Sequence, residues 1–422
     1  MNPIIRSFLA RHIVVGRLSV IDATGRRHQF GDATGQPVEV RFSSKATELA
    51  VALNPELALG EAYMDGSLVL EAGSIYDLLE LVLKNTPEPS AASGIARMLD
   101  RLNFTFRRLH QNNTLLNSKK NVEHHYDLDG GLYDLFLDED RQYSCAYYPE
   151  WDASLEEAQQ AKKRHLAAKL LLKPMHRILD IGSGWGGLGL YLAEFGDADV
   201  TGVTLSDEQH GLSNRRARES GLHERVRFLL QDYRGLSGPF DRIVSVGMFE
   251  HVGVAHYDEF FAKIRDLLTD EGVAVVHSIG RFDGPSYTSP WIRKHIFPGG
   301  YIPALSEVLP AVERQGLKVC DVEILRLHYA ATLREWRRRF LSRSQDAANL
   351  YDERFVRLWE FYLACSETAF RYQGLMNFQI QLSKDQSVVP FTRDYIGQAE
   401  QVLMDRESLA HKKTAAESSV AA

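Results

Sequence analysis

The chain has 422 residues, 44% of them hydrophobic and 25% charged, with a formal net charge of -7. That length allows two domains with their own cores, and the acidic balance argues against a general nucleic-acid partner. Cys145, Cys320 and Cys365 are far apart in sequence. This argues against a disulfide framework or a cysteine-pair zinc site and suggests a reducing, cytoplasmic setting. No uninterrupted apolar run is long enough to span a bilayer, and the opening segment is broken by Arg6, Arg11 and His12.

Residues 1 to about 85 read as short strands and turns with one helix. Residues 38–42 alternate apolar and polar after the turn Gly35-Gln36-Pro37. Residues 60–66 read as a loop with two glycines and two carboxylates, and residues 75–83 as an apolar-periodic helix. Residues 86–94 read as a linker, and residues 107–121 are basic and polar.

From about residue 122, strands and helices alternate. Strands are predicted at 177–181, 199–204, 226–230, 242–246, 273–277 and 318–327. Residues 283–315 and 333–382 read as helical additions over the sheet's carboxyl edge. The polar end after about residue 400 reads as disordered. The predicted fold class is therefore α/β, a doubly wound Rossmann-like sheet with helical additions, plus a smaller α+β amino-terminal domain. The predicted divisions are 1–115 with the linker, 116–395 as the main domain, and 396–422 as a flexible tail.

The run from Arg177 through Asp180, Gly182, Gly184 and Gly186 to Gly187 joins an apolar strand to an apolar helix by a glycine turn. Such a turn lets the backbone approach a small polar ligand. A leading Asp with alternating glycines differs from the dinucleotide pattern and suits S-adenosyl-L-methionine. Ligands in such sheets lie beyond the carboxyl ends of the strands. The next two ends carry Thr204, Ser206, Asp207 and Gln209, then Gln231, Asp232 and Tyr233. They offer hydroxyls, an amide, carboxylates and a ring face to a nucleoside, where turn and capping roles are the alternative. Beyond the fourth strand come Glu250 and His251, and the fifth carries His277. A carboxylate and an imidazole at adjacent strand ends suggest a reaction site. Cys145 sits among Tyr133, Tyr143, Tyr147, Tyr148 and Trp151, aromatics able to wall an apolar chain or face a cation.

Taken together, these pieces resemble the cyclopropane-fatty-acid synthase family of S-adenosylmethionine-dependent methyltransferases. The resemblance rests on His125-Tyr126-Asp127, Tyr143-Ser144-Cys145, the glycine turn, residues 202–206 with Gln209, residues 248–253, His277-Ser278-Ile279-Gly280, residues 296–300, and Tyr329 with Thr332, Leu333 and Trp336. Residues 60–66 also look like the family's amino-terminal domain.

The resemblance implies a bicarbonate ion held by Cys145, Glu250, His277, the Ile279 backbone and Tyr329. It implies cofactor contacts from Tyr143, Ser144, Gly182, Gly184, Thr204, Gln209, Tyr233 and Arg234. It also implies methylene transfer to the cis double bond of unsaturated phospholipid acyl chains, at a membrane surface met peripherally. The basic pairs and triplets Arg107-Arg108, Lys119-Lys120, Arg293-Lys294 and Arg337-Arg338-Arg339 are candidates for meeting anionic headgroups. No metal or nucleic acid is expected, and the amino-terminal domain is a candidate homodimer surface. The alternatives are a fatty-acyl methyltransferase that leaves a branch, and a non-catalytic lipid-binding protein.

Overall fold

The computed structural model describes residues 1–86 and 130–421, with only the backbone at 411 and 413–421. The linker and basic stretch predicted at 86–94 and 107–121, apart from Thr86, and the motif at His125-Tyr126-Asp127, lie outside the described residues.

Residues 1–86 contain α1 (Pro3–His12), β1 (Arg17–Ile21), β2 (Arg27–Phe30), β3 (Pro37–Phe42), α2 (Lys45–Leu53), α3 (Pro55–Met64), β4 (Leu68–Ala72) and α4 (Ile75–Asn85). The sheet order is β2-β1-β3-β4. Four helices occur here where one was predicted. The segment read as a loop at 60–66 mostly belongs to α3. A glycine inside that helix is explained by close packing. A Cβ on Gly60 would stand 2.4 Å from Trp291 Nε1 and 2.8 Å from Phe361 Cε1. The small residue serves helix-to-helix approach rather than a turn.

The second sheet has seven strands in the order β10-β11-β9-β8-β5-β6-β7. These are β5 (Arg177–Ile181), β6 (Asp199–Thr204), β7 (Val226–Leu230), β8 (Phe240–Val246), β9 (Leu268–Arg281), β10 (Lys318–Ile324) and β11 (Leu375–Ser383). β5 through β9 pair in parallel, whereas β11 runs antiparallel to both neighbours. This is the predicted doubly wound, Rossmann-like sheet. Strand order reverses beside β5, which opens a crevice at the carboxyl ends of β5 and β8.

Helices cover both faces. After the short α5 (Gly130–Tyr133) come α6 (Leu155–Lys169), α7 (Gly187–Gly196), α8 (Asp207–Glu219), α9 (Tyr257–Leu267), α10 (Pro290–His295) and α11 (Leu305–Arg314). They are followed by α12 (His328–Ser342), α13 (Ser344–Leu350), α14 (Glu353–Tyr372) and α15 (Asp394–Ala421). Ser154 and Glu157 form a capping box that fixes the start of α6, satisfying backbone N–H groups at its first turn.

Two predictions fail here. The helical reading of 333–382 absorbed β11, whose apolar Met376, Phe378, Ile380 and Leu382 alternate with buried Asn377, Gln379 and Gln381. Polar residues on a strand buried on both faces hide the period of two. The end of the chain, read as disordered, is helical. Ile396 and Leu403 on α15 are buried. Arg164 of α6 donates to both oxygens of Glu407, which also accepts from Tyr191. Long-range partners order a composition that alone would not fold.

The amino-terminal unit packs on the helices that wall the crevice. Arg337 lies 4.2 Å from the Tyr76 ring centroid and pairs with the buried Glu367, which Arg371 also meets. Arg339 grips Glu156 with two bonds, and Lys294 donates to Glu61. The basic groups at 294, 337 and 339 thus hold the fold together internally. Arg338 is exposed and pairs with Glu335.

Candidate active site

A cavity opens at the carboxyl ends of β5, β6, β7 and β8, where the cofactor contacts were expected. Its lining includes Tyr143, Ser144, Asp180, Gly182, Gly184, Thr204, Gln209, Gln231, Asp232, Tyr233 and Arg234, together with Trp185 and His251. Gly182 has φ +80°, and a Cβ there would lie 2.8 Å from Met248 Cβ. Only glycine takes that backbone shape without strain while the chain passes this close. Thr204 Oγ1 donates to Gln209 Oε1 at 2.7 Å, which locks the two polar groups at the end of β6. Arg234 holds both Asp232 oxygens, so this carboxylate is already braced from within.

Two predicted cofactor residues stand outside the cavity lining. Ser206 is buried and caps α8, its hydroxyl accepting from the Gln209 N–H. Gly186 has φ +86° at the start of α7, and a Cβ there would meet Phe228 at 2.7 Å and Ser213 at 2.9 Å. It serves helix-to-strand packing.

Asp180 is fully buried and its Oδ2 has no hydrogen-bond partner among the described residues. Burial raises its carboxyl to about 7, against a smaller opposing pull from Lys162. Lys162 was missed by the sequence reading. It is buried on α6 and donates to Gln142 Oε1 at 2.6 Å and to Ser144 Oγ at 2.8 Å. Burial lowers its ammonium to about 8. The available signal was a charged residue four positions from Ala158 and Leu166 on an otherwise apolar stripe.

Beyond the cavity's rim, the predicted reaction residues come from separate elements. Glu250 follows β8 in a short helical turn, and its Oε1 accepts the Ile279 N–H at 2.6 Å. Its Oε2 is buried without a hydrogen-bond partner among the described residues. Burial raises this carboxyl to about 7, partly countered by the Ile279 N–H. The Ile279 backbone, expected to hold an oxyanion, is thus committed to Glu250. His277 lies two residues earlier on β9, fully buried, and burial lowers its imidazole to about 3.

Cys145 is buried and its thiol donates to the Ala146 carbonyl. Burial pushes that thiol well above its ordinary value, so it is no thiolate nucleophile. The adjacent Ala146 N–H donates to Thr332 Oγ1 on α12, one turn after Tyr329. Tyr329 packs against Trp336 and Phe370 at centroid distances of 5.8 and 4.8 Å. Tyr143 and Tyr362 join their hydroxyls at 2.8 Å. Cys145 and Tyr329 belong to one apolar cluster, with Tyr143 and Ile279 packed against it. The arrangement is a packed aromatic cluster to which Glu250 is tied through the Ile279 N–H.

A family model described as mycolic acid cyclopropane synthetase matches residues 113–380, and a domain of unknown function matches residues 10–90. The chain is 38% identical over 363 residues to the cyclopropane-fatty-acyl-phospholipid synthase of Escherichia coli (strain K12), covering 82% of this chain and 88% of that one. The chain belongs to this synthase family.

It is an S-adenosylmethionine-dependent methyltransferase, so the non-catalytic alternative does not stand. Tuberculostearic acid methyltransferase UfaA1 of Mycobacterium tuberculosis is 34% identical over 352 residues, covering 78% of this chain and 79% of that one. The solved structure of mycolic acid cyclopropane synthase CmaA1 complexed with SAH and CTAB is similar with a TM-score of 0.59 and 33% identity. It covers 63% of this chain and 97% of that one.

Proposed function

We propose that this family member transfers a methylene group to the cis double bond of unsaturated phospholipid acyl chains and closes a cyclopropane ring. The observation that carries the reading is Glu250. One of its oxygens is fixed on the Ile279 N–H, the other is buried without a hydrogen-bond partner among the described residues, and Ile279 itself packs against the aromatic cluster of Cys145 and Tyr329.

An alkene is a weak nucleophile without an acidic proton. Its attack on a sulfonium methyl forms a carbon–carbon bond and breaks the carbon–sulfur bond, leaving a carbocation. A proton must then leave the new methyl group as the ring closes. The chemistry supplied by the small molecules is a methyl donor from S-adenosylmethionine and a proton acceptor from bicarbonate. The protein's work is placement and exclusion of water, which would quench the cation. Tyr143, Tyr329, Trp336 and Phe370 wall the chamber with ring faces that also favour positive charge modestly.

The residues present fit a bicarbonate ion. Glu250 Oε2, when ionised, is an acceptor for a bicarbonate O–H. The His277 ring, kept neutral, has one N–H to offer an oxyanion. The Cys145 thiol stays protonated and is a weak donor.

Acyl chains of this kind lie in bilayers, and no helix among the described residues is long and apolar enough to cross one. We therefore place the enzyme at the membrane surface, drawing the chain inward.

The branch-forming alternative keeps support from the likeness to UfaA1, named a methyltransferase. Lipid mass spectrometry of cells expressing the chain, followed by NMR of the product, tests the reading. The expected result is a gain of one CH2 per unsaturated chain with three-membered-ring protons. A methyl or methylene branch instead selects the alternative, and unchanged lipids overturn both.

A further inference from the structure

Lys162 on α6 is fully buried, yet it has no ion-pair partner among the described residues. An ammonium inside a protein is costly unless something uses its charge. Its two bonds go to neutral groups, Gln142 Oε1 and Ser144 Oγ, and both residues line the cavity. The nearby carboxylates are engaged elsewhere. Asp138 accepts the N–H groups of Asp140 and Gln142, and Asp140 pairs with Lys163 and Arg216. Asp138, Asp140 and Cys145 favour the Lys162 charge, Lys163 opposes it, and Asp180 lies within its electrostatic reach.

The bonds have a direction. An ammonium only donates, so Ser144 Oγ and Gln142 Oε1 are acceptors here. Gln142 passes its own N–H to Asp140 Oδ2 at 3.0 Å. The Ser144 hydroxyl hydrogen has no acceptor among the described residues, and Ser144 lines the cavity. The backbone around it is held as well. Gln159 Nε2, one turn before Lys162, donates to the carbonyls of Gln142 and Ser144 at 3.1 and 3.0 Å. Arg216 of α8 joins Asp140 to the Trp185 carbonyl in the glycine turn. Residues 140–144 thus form a fixed lip whose Ser144 O–H is polarised by the cation behind it. A cation and a donor in line suit an anionic group, and S-adenosylmethionine carries one, the carboxylate of its amino-acid end.

We propose that Lys162 is a positioning residue for the cofactor, acting through Ser144 to select and hold the carboxylate of S-adenosylmethionine. The proposal rests on the reading of this cavity as the cofactor site. A lysine needed only to brace the 142–144 turn would support every ligand of the cavity alike. One that acts on a carboxylate favours the ligand that carries it.

Decarboxylated S-adenosylmethionine separates these cases, since it keeps the sulfonium, the amine and the nucleoside. In calorimetric titration of the full chain, the wild type should bind S-adenosylmethionine about tenfold more tightly than this analogue. Lys162→Met keeps the length of the side chain without its charge. It should weaken S-adenosylmethionine about tenfold and the analogue by no more than about twofold, so that the preference disappears. In turnover, the KM for S-adenosylmethionine should rise about tenfold while kcat at saturation stays within about twofold.

Ser144→Ala should lose the same preference, and adding Lys162→Met to it should cost little further affinity. Ser144→Ala carries the test alone if Lys162→Met does not fold. An equal loss for both ligands in Lys162→Met, or the wild-type preference in either single variant, overturns the proposal. Wild-type S-adenosylmethionine affinity in Gly182→Ala, which strains the turn lining the same cavity, overturns the cofactor-site reading instead.

Discussion

The cavity at the ends of β5 to β8 and the aromatic cluster tied to Glu250, which the proposed function reads as a reaction chamber, are built in opposite ways. The cavity is made by short contiguous segments after β5, β6 and β7, with backbone shape doing much of the work at Gly182 and Gly184. The chamber collects single side chains from the 143–145 segment, the β8 turn, β9 and α12. Each half holds one buried carboxyl raised to about 7, Asp180 in the cavity and Glu250 in the chamber. In the proposed function Asp180 faces a cationic cofactor, while Glu250 faces an anion. Ligand charge is therefore expected to move them in opposite directions.

The largest expected effect comes from removing α15, which buttresses α6 and through it Lys162 under the cavity. Deleting residues from Asp394 onward exposes the pocket of Ile396 and Leu403 and strips Arg164 of Glu407. Urea unfolding should show a loss on the order of 5 kcal/mol. Unchanged stability would mean the helix is ornamental to the fold.

Next, the two carboxyls should each give stability a pH slope. Glu250 is protonated in the folded chain between its ordinary 4.5 and about 7, where the unfolded chain ionises it. Its contribution is full below pH 4.5 and is lost as pH rises through about 7, roughly 3 kcal/mol in all. Glu250→Gln and Asp180→Asn should each flatten their own share. Cofactor binding near pH 6.5 should release a proton from Asp180. Calorimetry in buffers of different ionisation heat should show that release in the wild type and in Glu250→Gln, but not in Asp180→Asn.

A smaller effect is expected at the turn. Gly182→Ala forces a strained φ and a clash with Met248, and should weaken cofactor affinity by roughly 1–3 kcal/mol, leaving bicarbonate dependence intact. The smallest is Tyr362→Phe, which removes the hydroxyl bond to Tyr143. It should cost about 1 kcal/mol of stability and shift the cofactor and bicarbonate constants little.

The same contrast explains what the chain's residues disclosed. The β5 turn was legible because glycines, an acidic residue and flanking apolar runs are local signals. The ends of β6 and β7 followed from the sheet's rule about ligand placement, although Ser206 at the end of β6 caps α8; in the β5 turn, Gly186 packs closely against Phe228 and Ser213. Cys145, Glu250 and Tyr329 were legible as one group only through family resemblance, since no local pattern links residues so far apart in the chain. The partners of those residues escaped altogether. Lys162 looks like a solvated helix lysine, and Asn377, Gln379 and Gln381 look too polar for a central strand. Their burial depends on which faces tertiary packing closes, and a single sequence does not carry that.

The most direct test of a chamber separate from the cofactor cavity is one variant, Glu250→Gln, measured twice. Calorimetric titration with S-adenosylmethionine should give a dissociation constant within about twofold of wild type, while cyclopropane formation on unsaturated phospholipid vesicles falls about 10²–10⁴-fold. A parallel collapse of cofactor affinity, or ring formation at the wild-type rate, would contradict it.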